Sequence, residues 1–281
     1  MASPCVACNE PLVFPNEDGV EVPDDLQLTC GCHFHWQVPF PALSPKNLRV
    51  VECLFESAPA VASTLKCPSC GQNVASSSQV GAGSSSSAAA ASETHQILTR
   101  YINESGLQEG YDIYSDIAEE AYYSTYPQFL RARPFLAMCS EGHVEGIIEL
   151  CQEADTEEED GDDDDEMEDD DGPSVPAVRS AALLRYQDPL NQMATGLHVA
   201  IANDQINVAY LLLYLSSHLP MDQFPPDLLQ FAAQIGRPEQ AILENADIRS
   251  LQTAQGETAE VLALRKGGLW AEMAQRGLFS V

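Results

Sequence analysis

Apolar residues are distributed unevenly along the chain, and their spacing differs between its two ends. In the C-terminal part, alanine residues and runs of leucine recur, as at 208–213, and indicate packed helices. Two further helices are predicted at 93–103 and 116–126, with Ser92 and Ser115 at the N-cap positions. The first 74 residues hold few apolar residues and few periodic segments. The pattern predicts a helical C-terminal part behind a small head that has little core of its own.

A short motif returns at nearly regular intervals in the helical part. The clearest copy is Thr195-Gly-Leu-His198-Val-Ala200, and Arg133-Pro-Phe-Leu-Ala-Met-Cys139 fits the same template. An alanine pair at 232–233 lies 32 residues after Ala200, and a further copy begins at Gly256. These offsets indicate a helical repeat of about 33 residues.

The motif resembles the ankyrin repeat, whose signature is T-P-L-H-x-A. The resemblance implies stacked helix pairs whose shared face binds a protein partner or substrate. It also implies that His198 and His143 are structural residues of the repeat rather than catalytic ones. We interpret Cys139 and Cys151 as thiols buried in the helices of the first repeat.

The charge is strongly negative and is concentrated in one place. The chain of 281 residues has 13 Lys and Arg against 43 Asp and Glu, which gives a net charge of −30. Nucleic acid and anionic membranes are therefore excluded as partners. Between Glu153 and Asp171, fifteen of nineteen residues are acidic, so we predict a disordered acidic insertion. It is either a solvated spacer or a docking tail for a basic partner.

A second break in the pattern is rich in serine and alanine. Residues 75–92 contain a Gly-Ala-Gly followed by four serines and four alanines, as in a flexible linker. No apolar run approaches the roughly 18 residues of a membrane span. The N-terminal residues show no secretory signal. We therefore expect a cytoplasmic or nuclear protein, in which nine cysteines point to metal binding rather than to disulfides.

Cysteine and histidine are spaced as metal ligands in the head. Cys5-Val-Ala-Cys8 and Cys67-Pro-Ser-Cys70 are C-x-x-C pairs, and they flank the cluster Cys30-Gly-Cys32-His33-Phe-His35. Two such pairs around a Cys/His cluster indicate zinc rather than a redox motif. Zinc would also supply the folding free energy that the small head lacks. The spacing favours Cys32 over His33 as the ligand.

The same pattern resembles a RING finger, which runs C-x2-C, then C-x-[C/H]-x-F-H-x2-C, then C-P-x-C. The position three residues after His35 is Val38, which cannot bind zinc, but Cys53 follows later. Removal of 38–52 restores the family spacing. The segment begins with valine, whose codons all start with GT, and ends with glutamate, one of whose codons ends in AG. An intron also begins with GT and ends with AG. We hypothesise that the segment is an insertion, either a retained intron or a gene-prediction error. The alternative is a genuine loop with Cys53 still reaching the metal, and sequencing of the mature transcript decides between them.

The RING resemblance implies two interleaved zinc sites and an apolar patch for a ubiquitin-conjugating enzyme. The first zinc would be bound by Cys5, Cys8, His35 and Cys53, and the second by Cys30, Cys32, Cys67 and Cys70. Val6, Leu54 and Pro68 occupy the positions of the patch. The cation that active members carry after the last ligand is missing, because Gly71-Gln-Asn follows Cys70.

These observations predict a mostly α protein, in which a small zinc-stabilised RING-like head precedes an α-helical ankyrin-repeat solenoid. No catalytic triad, P-loop or dinucleotide fingerprint occurs in the sequence. The function is therefore either that of a RING-type ubiquitin ligase or that of a non-enzymatic zinc-finger scaffold. The predicted divisions are a RING-like domain 1–74 with the insertion 38–52, a linker 75–92, a helical cap 93–131, an ankyrin repeat 132–154, an acidic insertion 155–173 and ankyrin-like repeats 174–281.

Overall fold

The chain divides into two compact units, Met1–Tyr126 (unit 1) and Pro127–Val281 (unit 2). The computed structural model describes residues 4–15, 19–36, 53–77, 95–156, 178–226, 228–229 and 236–281. The insertion 38–52, the alanine pair at 232–233 and most of the linker and acidic insertion lie outside these residues.

The described residues of unit 1 form short antiparallel strands and two helices. The strands are β1 (Val13–Pro15), β2 (Glu21–Pro23), β3 (Asp25–Leu28), β4 (His33–Phe34), β5 (Ser76–Ser77), β6 (His95–Gln96), β7 (Leu98–Asn103) and β8 (Gly106–Asp112). The helices are α1 (Ala58–Thr64) and α2 (Tyr114–Thr125), and a 3-10 turn at Phe55–Ser57 leads into α1.

The largest described sheet joins the head to the hairpin that follows the linker. Its strand order is β4-β3-β7-β8, so β3 of the head pairs with β7 of the hairpin. Leu26 lies opposite Phe34 on one side and Tyr101 on the other, and all three side chains are buried. Because cross-strand neighbours share a face, these three side chains form the centre of one core. The hairpin is therefore part of the zinc-binding unit.

The helix predicted at 93–103 is wrong, because the described part of this segment is extended. Thr99 and Tyr101 are buried while Arg100 between them is exposed, which is the period-two pattern of a strand. The chain turns back at Glu104-Ser105, where Asn103 pairs with Gly106. The predicted helical cap 93–131 is thus a hairpin followed by one long helix.

The helix predicted at 116–126 is confirmed, although it begins earlier than expected. Helix α2 starts at Tyr114, so Ser115 lies inside it rather than at its cap. The Asp112 carboxylate accepts from the backbone N–H groups of Tyr114 (3.0 Å) and Ile97 (2.9 Å) instead. Helix α2 packs against α1, and its Ile117 belongs to the same buried core as Leu54.

Unit 2 consists mainly of short helices. They are α3 (Ala132–Glu141), α4 (Val144–Thr156), α5 (Ser180–Leu183), α6 (Gly196–Ala202), α7 (Ile206–Ser216), α8 (Glu239–Glu244), α9 (Ala259–Lys266) and α10 (Gly268–Gln275). Two short strands, β9 (Gln187–Asp188) and β10 (Ala194–Thr195), pair in front of α6. Single 3-10 turns occur at Pro127–Phe129, Pro189–Asn191, Met221–Gln223 and Ile248–Ser250.

Helix α6 is central to the packing of unit 2. It contacts α3 on one side, α9 on another, and α7, which follows it in the chain. Residues 211–215 of α7 are Leu-Leu-Leu-Tyr-Leu, and all are buried because this helix is apolar around its whole circumference. Helices α3 and α4 are joined at Gly142, whose φ of 89° provides the left-handed cap of α3.

The predicted fold class is wrong, because the described residues form a mixed α/β structure with several small sheets and not an ankyrin solenoid. The Thr195–Ala200 motif forms a helix cap, which specifies a local helix start and not a chain of equal repeats. Part of the repeat pattern also depended on 232–233, outside the described residues. In the part of the chain that the structure describes, no helix is both long and apolar enough to cross a bilayer.

Candidate metal centres

Cysteine and histidine side chains converge in unit 1. Among the described residues they form a first cluster of Cys5, Cys8, His35 and Cys53 and a second cluster of Cys30, Cys32, Cys67 and Cys70. Within each cluster the four ligand atoms lie within 4.8 Å of one another. Thiolates and imidazole in groups of four form the tetrahedral shell that zinc prefers. The clusters are positioned to hold two zinc ions, so the predicted cofactor and its number are confirmed.

The two C-x-x-C pairs lie on turns with the same hydrogen bonds, at residues 5–10 and 67–72. The N–H of the first cysteine donates to the carbonyl five residues on, at 3.0 Å in the first turn and 2.8 Å in the second. The N–H four residues on donates back to the carbonyl of that cysteine, at 2.9 Å in both. The residues that donate back, Asn9 and Gly71, have positive φ, which these two residue types tolerate. Each turn directs its two sulfur atoms to one point.

The turn between β3 and β4 carries the other two sulfur ligands of the second cluster. The N–H of Leu28 donates to the carbonyl of Cys32 (3.0 Å), and the N–H of Gly31 donates to the carbonyl of Leu28 (2.8 Å). Gly31 has a φ of 85°, which a residue with a Cβ rarely adopts. The tight turn therefore places Cys30 and Cys32 side by side.

The imidazole of His35 is oriented for metal binding through Nδ1. Its Nε2 donates to the carbonyl of Pro11 at 2.8 Å, so the proton of the neutral ring is on Nε2. Its Nδ1 lies 3.4 Å from the sulfur of Cys8 and 3.5 Å from that of Cys53. A tetrahedral zinc ion separates bound sulfur and nitrogen by about 3.5 Å. The first cluster thus matches the shell of zinc in both donor type and spacing.

Cys53 reaches the first cluster although it lies far from the expected position in the sequence. It lies one residue before Leu54, the N-cap of the 3-10 turn Phe55–Ser57, and is buried. The position at which the RING spacing requires a ligand, Val38, lies outside the described residues. The insertion therefore does not deprive the first cluster of its fourth ligand.

The thiols of each cluster strongly influence one another. Burial, together with the neighbouring thiols of Cys70, Cys30 and Cys67, raises the pKa of Cys32 to about 12. Burial and the thiols of Cys5 and Cys8 likewise raise the pKa of Cys53. Crowded sulfur atoms without a cation resist carrying several negative charges. A divalent zinc ion removes that conflict, because coordination deprotonates the thiols.

Cys5 differs from the other buried thiols. Burial acts to raise its pKa, but hydrogen bonds from the backbone of Cys8, Ala7 and His35 lower it to about 7. Backbone N–H groups stabilise a thiolate by hydrogen bonding to the charged sulfur. The turn at 5–10 therefore favours the form of Cys5 that binds metal.

The two clusters take their ligands alternately along the chain. The first and third ligand pairs, Cys5/Cys8 and His35/Cys53, form one cluster, and the second and fourth pairs form the other. The backbone also connects the ligand segments, since the N–H of Val6 donates to the carbonyl of His33 at 2.9 Å. Neither half of the head can assemble a cluster without the other half.

The alternative ligand His33 pairs with an acidic side chain and belongs to neither cluster of the described residues. Its Nδ1 lies 2.6 Å from a carboxylate oxygen of Asp25, so the two side chains form an ion pair or a hydrogen bond according to the charge of the ring. Cys32 is the residue that joins the second cluster. The choice of Cys32 over His33, made from the spacing, agrees with this arrangement.

The three positions assigned to a partner-binding patch differ in exposure. Val6 is 40% exposed, and Pro68 is exposed on the second C-x-x-C turn. Leu54 is completely buried in the core of unit 1, together with Ile113 and Ile117. Leu54 therefore does not lie on the surface, because the hairpin and α2 extend the core of the head.

Of the residues that the sequence assigned to structural roles in unit 2, His198, Cys139 and Cys151 are packed inside it, and His143 is not. His198 is buried, and its Nδ1 lies 2.8 Å from the hydroxyl of Thr195. Cys139 and Cys151 are buried thiols whose pKa is raised mainly by burial. His143 is exposed and lies 3.1 Å from a carboxylate oxygen of Glu141.

One buried acidic residue beside the first cluster escaped the sequence analysis. Asp24 is only 1% exposed, and it accepts hydrogen bonds from the backbone of Trp36 and the hydroxyl of Tyr101. It is one of 43 acidic residues and belongs to no spaced motif, so the sequence offered no signal for it.

Comparison with the models of known protein families, with curated protein sequences and with solved structures gives no match for this chain.

Proposed function

We propose that unit 1 is a RING-type domain that binds a ubiquitin-conjugating enzyme, and that the protein acts as a ubiquitin ligase of this type. The observation that carries the proposal is the alternation of four ligand pairs between two zinc sites. A RING domain holds the charged conjugating enzyme in a reactive geometry, so its contribution is orientation, and it needs no nucleophile.

The two zinc turns supply the exposed apolar contacts of the proposed surface. Val6 directly follows Cys5 on the 5–10 turn, and Pro68 directly follows Cys67 on the 67–72 turn. Both side chains are exposed. Side chains on metal-fixed turns bind with little further loss of conformational entropy.

We assign recognition of the protein substrate to unit 2. Val261, Leu264 and Leu269 are 50%, 47% and 50% exposed on the consecutive helices α9 and α10. Exposed apolar side chains that form a contiguous patch mark a protein-binding surface, and we assign these three side chains to such a patch.

A non-enzymatic zinc-stabilised scaffold is the second candidate function. The burial of Leu54 favours it, because one of the three positions expected to contact the conjugating enzyme is not accessible. Both candidates use unit 1 as a binding surface. They differ in whether the bound partner reacts faster.

The discharge of ubiquitin from a panel of charged conjugating enzymes separates the two functions. Under the ligase proposal, the zinc-loaded protein accelerates discharge from at least one enzyme. Val6→Asp lowers that acceleration about tenfold, the typical effect of losing one central interface side chain. Val20→Asp is the matched control, since Val20 is 58% exposed in the same unit and lies outside the zinc turns.

The result that rejects the ligase is equally clear. If the whole panel shows no acceleration while the protein carries two zinc ions, unit 1 is a scaffold. If Val20→Asp reduces the acceleration as much as Val6→Asp does, the zinc turns are not the binding surface.

A further inference from the structure

Asp24 is a carboxyl group enclosed in the core of unit 1. It lies between β2 and β3 and is 1% exposed. Burial of a carboxyl group is costly unless hydrogen bonds compensate for the lost water. Hydrogen bonds connect Asp24 both to segments beside the first metal cluster and to the hairpin.

Hydrogen bonds to three segments of the chain hold Asp24 in place. Its backbone N–H donates to the carbonyl of Leu12 at 2.9 Å. Its Oδ2 accepts from the backbone N–H of Trp36 at 2.9 Å, and its Oδ1 accepts from the hydroxyl of Tyr101 at 3.1 Å. One residue thus connects three segments that are distant in the sequence.

Leu12 and Trp36 are each adjacent in the sequence to a residue of the hydrogen bond that orients the histidine ligand. Leu12 follows Pro11, and Trp36 follows His35. His35 donates from Nε2 to the carbonyl of Pro11, and this bond directs Nδ1 toward the sulfur atoms of the first cluster. Asp24 therefore holds both sides of the hydrogen bond that orients the histidine ligand.

We propose that Asp24 is a positioning residue of the first zinc centre, and that Tyr101 of the hairpin supports it. The carboxyl group holds the His35 segment through Trp36, and the backbone N–H of the same residue holds the Pro11 segment through Leu12, so the two segments stay at hydrogen-bond distance. Groups that orient a metal-bound histidine typically change metal affinity 10–100-fold. The role is specific to the first centre, because the 67–72 turn and the β3–β4 turn hold the second centre by their own backbone bonds.

Tyr101 is suited to support the carboxyl group. Its hydroxyl is buried, and burial together with the charge of Asp24 raises its pKa. The hydroxyl therefore remains a donor at neutral pH. Tyr101 also lies on β7, whose pairing with β3 places the hairpin beside the cluster.

The test uses the full-length protein with ¹¹³Cd²⁺ in place of zinc. Cadmium NMR distinguishes a centre with three sulfur ligands and one nitrogen from a centre with four sulfur ligands. Titration with a chelator then gives the affinity of each centre separately. The variants are Asp24→Ala, Asp24→Asn and Tyr101→Phe. Tyr111→Phe is the control, since its hydroxyl donates to Asp116 at 3.3 Å instead.

We expect Asp24→Ala to weaken the first centre about 10–100-fold and to leave the second centre unchanged. Asp24→Asn should retain the affinity, because the amide oxygen accepts from Trp36 N–H and the amide nitrogen donates to the Tyr101 hydroxyl. Tyr101→Phe should weaken the first centre severalfold, and Tyr111→Phe should match the unaltered protein.

Three results would overturn the proposal. These are an unchanged first centre in Asp24→Ala, equal weakening of both centres, and an Asp24→Asn variant as weak as Asp24→Ala. If Asp24→Ala loses both centres through unfolding, Tyr101→Phe decides. A selective loss at the first centre supports the proposal, and the absence of such a loss rejects it.

Discussion

At the scale of single residues, His198 of unit 2 is held by hydrogen bonds that depend on the charge of its ring. The Thr195 N–H donates to Nδ1 of His198 (3.3 Å), and the His198 N–H reaches the Thr195 hydroxyl (3.4 Å). This reciprocal pair caps helix α6. The proton of the ring is then on Nε2, which donates to the carbonyl of Glu257 at 3.1 Å. The cap therefore needs a neutral imidazole.

The first prediction is that acid destabilises unit 2 through His198. Burial lowers the pKa of His198 and outweighs the carbonyl and the charge of Glu257, which act in the opposite direction. The pKa of His198 is therefore lower in the folded protein than in the unfolded chain, where it is about 6.5. The stabilisation by His198 is complete above the unfolded pKa and is lost as the pH falls through the folded pKa. We expect a loss of about 1 kcal/mol, the usual contribution of an N-cap. Urea unfolding followed by Trp270 fluorescence in a Trp36→Phe background measures it.

A matched pair of variants isolates the histidine. His198→Gln keeps a side chain that is common in capping boxes but does not titrate, so the free energy of unfolding should vary less between pH 7 and pH 5. His143→Gln removes an exposed histidine of the same unit and should leave the decline unchanged. A full decline in His198→Gln would contradict the assignment.

The metal ligands were predictable from the sequence because their geometry is local. A C-x-x-C turn needs only its own backbone hydrogen bonds, so Cys5/Cys8 and Cys67/Cys70 carry their signal in four residues. Cys53 was found by matching a family spacing. Asp24 could not be found, because its partners Trp36 and Tyr101 lie 12 and 77 residues away.

At the scale of elements, helices α3 and α6 approach closely at Gly196. A Cβ atom there would lie 2.9 Å from the sulfur of Cys139 and 2.9 Å from two ring carbons of Phe135. Such distances are too short for a side chain, and both neighbours are buried. The glycine therefore sets the separation of the two helices.

The second prediction concerns this contact. Gly196→Ala should lower the free energy of unfolding of unit 2 by about 1–3 kcal/mol, because a packed core resists an added methyl group. Gly146→Ala is the control. Its Cβ would meet the Met138 sulfur at 3.0 Å, but the flexible side chain can shift, so the change should stay below about 1 kcal/mol. Thermal unfolding of both variants measures the difference, and equal stability would contradict the assigned role of Gly196.

The hairpin β7–β8 shows why element types were only partly predictable. Helix α2 has a clear apolar face and was predicted. The strand at 98–103 was taken for a helix because a short apolar segment fits either period. Strand β7 pairs with β8, which follows it in the hairpin, and with β3, which lies about 75 residues earlier and joins the hairpin to the head. Local sequence carries no information about such a distant partner.

At the scale of the whole molecule, the boundary of the zinc-binding unit lies further along the chain than the sequence indicated. The sequence placed the end of the zinc head at residue 74, whereas unit 1 extends to Tyr126. The cysteine spacing marks the ligands but not the core that supports them. That core is completed by Ile97, Tyr101, Ile113 and Ile117, all beyond the linker. The helical unit was recognised as helical, but its motifs describe caps and turns, which do not fix a solenoid.

The third prediction is that removal of zinc unfolds unit 1 and leaves unit 2 folded. Structural zinc contributes about 10–16 kcal/mol, which is comparable with the whole stability of a typical domain. The metal clusters lie entirely in unit 1, and α6 and α7 of unit 2 have a separate apolar core. After chelation at neutral pH, hydrogen exchange should become fast at 19–36 and 95–126 and stay slow at 196–216. Added zinc should restore protection. If 95–126 stays protected without metal, the fold of the hairpin and α2 does not depend on the zinc centres, and the prediction fails.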